Sequence, residues 1–228
     1  MSSIIDYQIK QDALLKDGAA ILTQPEKDIF IQAAVKLYSR HRPLERAADL
    51  AGNGGFDYPL PAGWIDGFSE PVSVEYPVGT QQPEMVPMED LTLYRSPTAL
   101  MLRFLRFSPA IGQTARLIYT TQHVVNAGSA TIPTSDEDAV SALAASYACE
   151  ALANSYAQTQ DPTIAADSVD YKSKAAEYTA RAKRYMAIFT NSLGIKDGDV
   201  TSPASGSRAW PGNYSWGEDR LLHPRARR

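Results

Sequence analysis

The chain has 228 residues, 44% hydrophobic and 9% aromatic, the make-up of a globular protein with one domain and extensions or two small domains. A net charge of −4 and a pI near 5.4 exclude a general nucleic-acid-binding role, which needs clustered Lys and Arg against phosphates. The lone cysteine, Cys149, excludes an internal disulfide and falls within a helical pattern, as a structural buried thiol in a reducing setting would.

No run approaches the roughly 18 apolar residues of a membrane span. The first residues, Met1-Ser2-Ser3-Ile4-Ile5-Asp6, lack the basic start and apolar core of a signal peptide. A soluble protein made in the cytoplasm, without a membrane partner, is expected. No internal repeat of domain-building length is present.

From Ile4 to about Leu22, Ile5, Ile9 and Ala13 with Leu14 and Leu15 give a weak helical pattern that Gly18 interrupts. Thr23-Gln24-Pro25-Glu26 then has the form of a capping box with proline in the first turn. Ile29, Phe30, Ala33, Ala34 and Leu37 continue one helical face to about Ser39, and His41-Arg42-Pro43 ends it.

Between Leu44 and His123 the period changes. Ala47 to Ala51 and Phe56 to Leu60 flank Gly52-Asn53-Gly54-Gly55, which reads as a hairpin turn. Val72 to Tyr76 and Leu91 to Arg95 alternate apolar and polar side chains. Two further strands, around Leu100 to Leu105 and Arg116 to Thr120, flank a turn at Ser108 to Gly112. A small antiparallel sheet is expected, with residues 78–87 as an exposed loop.

The stretch from Asp136 to Gly194 holds two helices separated by a break at Asp161-Pro162-Thr163. In the first, Val140, Leu143, Ala144, Tyr147, Ala148, Ala151, Leu152 and Ser155 fall on one face, and Ser135 ahead of three acids marks its start. In the second, Tyr171, Ala175, Tyr178, Ala182, Tyr185, Met186 and Phe189 form a stripe that Gly194 terminates. About 20 residues at 1.5 Å each make each helix roughly 30 Å long. Small residues facing tyrosines predict a close seam.

After Gly194 the composition turns to Gly, Ser, Pro, Asp and Asn without a period. Trp210, Tyr214, Trp216, Leu221 and Leu222 are large apolar groups with no local core, and Arg220, Arg225, Arg227 and Arg228 accompany them. Aromatic and arginine side chains are the types enriched where one protein docks on another, so this tail is expected to fold against a partner or a neighbouring subunit.

Catalytic and metal templates fail. His41, His123 and His223 have no second histidine or cysteine at ligand spacing, and phosphate-loop, dinucleotide and nucleophile-elbow motifs are missing, so no metal, cofactor or catalytic residue is expected. Asp136-Glu137-Asp138 could pair carboxylates or bind a divalent cation, but its place at a helix start explains it. Arg95, Arg103, Arg106 and Arg116 could make a basic sheet face, though solvated charges are the simpler reading.

The chain resembles the head-to-tail connector, or adaptor, proteins of tailed bacteriophages. The resemblance rests on the passages Ile31 to Pro43 and Ala115 to His123, the latter leading through Ile132-Pro133 into Ala142-Leu143-Ala144-Ala145. It covers roughly residues 25–193 and lies in the order of elements rather than in one motif.

It implies an α+β fold in which a helical bundle, of N-terminal helices plus a long C-terminal helix pair, carries a small inserted antiparallel sheet and an extended C-terminal tail. Residues 1–194 would form the connector domain, with helices over 4–40, a sheet over 44–123 and helices over 136–193; residues 195–228 would form a docking arm. A structural, non-enzymatic virion protein is implied: a dodecameric ring in the neck below the portal, assembled in the host cytoplasm and engaging portal protein and a downstream tail or neck protein. Double-stranded DNA would pass its channel without sequence-specific binding. The alternatives are another neck or tail-completion (stopper) protein, or a small-ligand module whose tyrosine seam lines a pocket.

Overall fold

In a computed structural model, residues 2–16, 20–158 and 171–195 are described. The break at Asp161-Pro162-Thr163 and all the tail anchors, from Trp210 to Arg228, lie outside them. Helices and antiparallel sheet coexist, making an α+β protein. The chain divides into a helical unit, from residues 1–44 and 122–195, and a sheet unit, residues 45–121.

The helical unit holds α1 (Ile4–Leu15), α2 (Gln24–His41), α3 (Glu137–Gln158) and α4 (Tyr171–Leu193). Local chemistry fixes the ends of the first two. The Ser3 amide donates to Asp6 Oδ2 at 2.7 Å and the Thr23 amide to Glu26 Oε2 at 2.7 Å, so each helix returns an acid to its own start. Lys16 closes α1 in the left-handed region at φ 46°, and Gly194 follows α4 at φ 70°.

α3 packs on α1, α2 and α4. With three neighbours its burial is not confined to one face: besides the expected Val140, Leu143, Ala144, Ala148 and Leu152, it buries Ala139, Ser141, Ala142, Ala145, Ser146, Cys149 and Ala153. Small side chains allow that approach on several sides. The Ser146 hydroxyl even donates to the Ala182 carbonyl of α4 at 2.8 Å. α4 follows its expected stripe, with Ala182 and Phe189 buried and Ala175, Tyr178, Tyr185 and Met186 half-buried.

The faces of α1 and α2 differ from expectation. Tyr7, Gln11 and Leu15 are the buried residues of α1, while Ile5, Ile9 and Ala13 point outward. In α2 the core takes Ile31, Ala34, Val35 and Tyr38, with Phe30 and Leu37 half-buried and Ile29 outward. Isoleucines on both sides of α1 blur its period, and the tyrosine prevails because its ring brings more apolar area to the core.

In the sheet unit β1 (Leu44–Ala51), β2 (Asp57–Pro59), β3 (Pro71–Glu75), β4 (Met85–Val86), β5 (Leu91–Arg95), β6 (Leu100–Phe104) and β7 (Thr114–Thr121) form two sheets rather than one, ordered β1-β7-β3-β4 and β2-β6-β5. Both feed one core: Leu50, Val74, Leu117 and Tyr119 from the first meet Tyr58, Leu91, Leu102 and Phe104 from the second. β4 occupies the end of the expected 78–87 loop, pairing Val86 with Val74.

Gly52 to Gly55 is not a hairpin, because β1 and β2 belong to different sheets. The stretch instead wraps the 109–113 segment. Gly52 donates its amide to the Gln113 carbonyl at 2.8 Å, and a Cβ there would meet the Ala110 carbonyl oxygen at 2.1 Å, so only glycine fits.

Candidate interaction surfaces

The arginines of the sheet unit do not make an open basic face. Arg103 forks onto Asp57 at 2.5 and 2.7 Å and lies over the Tyr94 ring at 3.6 Å. Arg116 does the same to Asp49 at 2.7 and 3.0 Å. Arg106 reaches Asp90 at 2.8 Å, and Arg95 stands 4.0 Å from Asp66. Hydrogen bonds from Arg103 and Arg116 hold the Asp57 and Asp49 carboxyls below their ordinary values.

The acid triplet at the start of α3 is a junction rather than a cation site. Asp136 accepts from the Tyr38 hydroxyl at 2.6 Å, from Arg42 Nη1 at 2.7 Å and from Ser135 at 3.0 Å. Burial pushes its pKa up, but these three donors outweigh burial and leave it below the usual carboxylate value. Glu137 takes Ser2 and Lys10, and Asp138 takes Lys10 at 2.7 Å. The three acids thereby tie the starts of α1 and α3 and the end of α2 together. Among the described residues, no group of three or more His, Cys, Asp or Glu could hold a metal ion.

The His123 ring lies tilted beside Tyr38 at 5.1 Å, its amide donates to the Ser39 hydroxyl at 2.9 Å, and its Nδ1 is 3.1 Å from the Thr131 hydroxyl. Burial lowers the pKa of this imidazole and of His41, which sits edge-on to Phe189. Cys149 is fully buried, and desolvation pushes its thiol up to about 11, far from the thiolate that reactivity requires.

The tyrosines of the helix seam are packing groups. Tyr156 and Tyr178 stack at 5.5 Å, and Tyr185 donates to the Leu14 carbonyl at 2.9 Å. A groove of ≈ 630 Å³ beside the seam is lined, among the described residues, by Glu150, Lys183, Met186, Ala187, Thr190 and Ile195 with Ala182 and Asn191.

What sequence reasoning missed is an apolar patch on the helical unit. The Ile4 amide donates to the Asn126 carbonyl at 2.9 Å, Gln8 to Asp28 at 2.7 Å, and Gln32 to the Val125 carbonyl at 3.0 Å. These three bonds sew α1, α2 and the 124–126 segment into one surface. Beside the sewn residues stand Ile5, Ile9, Ile29 and Val124, exposed by 55, 62, 64 and 46%. Four branched apolar side chains exposed on elements that these bonds join make a candidate interaction surface. The signal was present in the sequence as the Ile5-Ile9 spacing, but it points outward.

No family model matches the chain, and no curated protein does. Among solved structures, a chain in the neck of an empty gene transfer agent particle, computed with C6 symmetry, is 16% identical with a TM-score of 0.30, over 75% of this chain and 87% of that one. A chain in the neck of the native particle, computed with C12 symmetry, is 14% identical at a TM-score of 0.28, over 75% and 89%. A third, in the virion of the native particle, is 16% identical at 0.24, over 75% and 87%. TM-scores this low do not establish a shared fold.

Proposed function

We propose that the chain is a structural, non-enzymatic protein of the neck of a tailed phage-like particle: a head-to-tail connector whose copies close into a ring below the portal and let DNA pass. The observation that carries the reading is the apolar patch of Ile5, Ile9, Ile29 and Val124, a surface that one copy alone leaves in water. A closed ring needs two different patches on every subunit, and an uncovered patch on a folded helical unit is what such an assembly uses. The order of elements supports it: paired N-terminal helices, an inserted sheet unit, a strand ending in Tyr119-Thr120-Thr121, an alanine-rich helix and a second long helix. That is the order on which the resemblance to connector proteins rests.

In this reading Trp210, Tyr214, Trp216, Leu221 and Leu222, with Arg220, Arg225, Arg227 and Arg228, form the arm that engages the portal, and a tail or neck protein binds the opposite side. Assembly takes place in the host cytoplasm and the finished location is the virion neck. Deleting residues 208–228 tests the arm. The truncated protein should fold normally but fail to co-purify with portal, and undiminished docking would overturn the assignment.

A further inference from the structure

We propose that the apolar patch on α1 and α2 is covered by the outer face of α4 from a second copy of this chain. The inference rests on the ring reading and names the two surfaces that would make the ring.

The charges around the two surfaces are complementary. At the patch, Lys10 is engaged by Glu137 and Asp138, and Lys27 by Asp12 at 2.8 Å. Among the described residues the acids Asp6, Glu26 and Asp28 form no ion pair: Asp6 and Glu26 accept from their own helix starts, with Lys10 also acting on Asp6 through its charge, and Asp28 accepts from Gln8 and Gln24. Their negative charge therefore stays on the rim of the isoleucine patch.

On α4, Arg181 is held by Glu177, whereas Lys183 and Arg184 are exposed and form no ion pair among the described residues. Helical spacing sets Lys183 against Ala187 and Arg184 against Ile188 in two adjacent rows, with Ile188 itself 40% exposed. Basic heads beside small and apolar side chains match acidic heads beside isoleucines. The match also runs in one direction only. The patch lies on α1 and α2 and its counterpart on α4, so the contact is head-to-tail, repeats from copy to copy, and closes when the rotation allows.

The test uses the full chain and measures assembly mass in solution across a concentration series, with thermal unfolding as the check on folding. Wild type should form rings. A patch variant, Glu26→Lys with Asp28→Lys, and a face variant, Lys183→Glu with Arg184→Glu, should each fold but need at least tenfold more protein to assemble. The chain carrying all four substitutions should regain assembly, because both signs are reversed together.

As a second measurement, Ile9→Cys with Ile188→Cys should give an oxidised intermolecular ladder, with Cys149 buried and silent. Wild-type rings with unaffected variants and no ladder would overturn this interface while leaving the ring standing. Wild type that stays monomeric alone and with portal would overturn the ring reading, and the interface with it.

Discussion

α3 and α4 are nearly equal in length, 22 and 23 residues, and lie against each other, yet they are buried in different ways. α3 has three helical neighbours and is covered on almost every side as far as Ala153, and its residues there are small. α4 buries a single stripe through Ala182 and Phe189, fills it with tyrosines, and turns charge outward. Side-chain size follows the number of neighbours a helix must accommodate. What a helix leaves uncovered is then available to another molecule.

The same substitution on the two helices separates them most sharply. Ala145→Glu places an unpaired carboxylate at a fully buried position of α3 and should cost on the order of 3–5 kcal/mol in urea unfolding. Ala187→Glu on the exposed side of α4 should stay within about 0.5 kcal/mol, and its effect should fall on assembly instead. Equal costs at the two sites would erase the distinction.

A smaller effect is expected where α3 is tied to its neighbours. Asp136→Asn keeps the shape but removes the charge that Tyr38 and Arg42 address, and should cost about 1–3 kcal/mol. Because the folded pKa of Asp136 is depressed, its contribution is fully present above the ordinary carboxylate pKa and is lost as pH falls through the folded value. The Asn variant should therefore show a flatter stability profile below about pH 4. His123 and His41 act earlier in an acid titration. Burial holds both imidazoles below their ordinary value, so the unfolded chain takes up protons first as pH drops below about 6.5, and wild-type stability should begin to decline there.

The smallest effect is chemical. Cys149, at the α3–α4 seam with its thiol pushed up to about 11, should label with a thiol reagent only at the rate of opening or unfolding. Rapid labelling of the native chain would mean that the seam is looser than its burial implies.

These contrasts also explain what could be read from residues alone. The start of α2 was legible because Thr23 and Glu26 are three apart and cap reciprocally, and the stripe of α4 because large and charged residues alternate with a clear helical period. β5 was legible from the alternation of Leu91 to Arg95. The full burial of α3 was not, since alanine and serine carry little polarity difference to mark a face. The two-sheet arrangement was hidden because Gly52 to Gly55 has the composition of a hairpin turn, while Gly52 serves a close approach to Ala110 that only three-dimensional packing reveals. The apolar patch was misread for a related reason: Ile5 and Ile9 have core chemistry and helical spacing, and nothing in the spacing says that Tyr7 takes the inside instead. The tail anchors from Trp210 onward lie outside the described residues.

The central claim is that this chain assembles with copies of itself. Electron microscopy of the full chain purified with portal tests it most directly: the account expects a closed ring of identical subunits seated below the portal. Particles showing a single copy, or no added density beneath the portal, would contradict it.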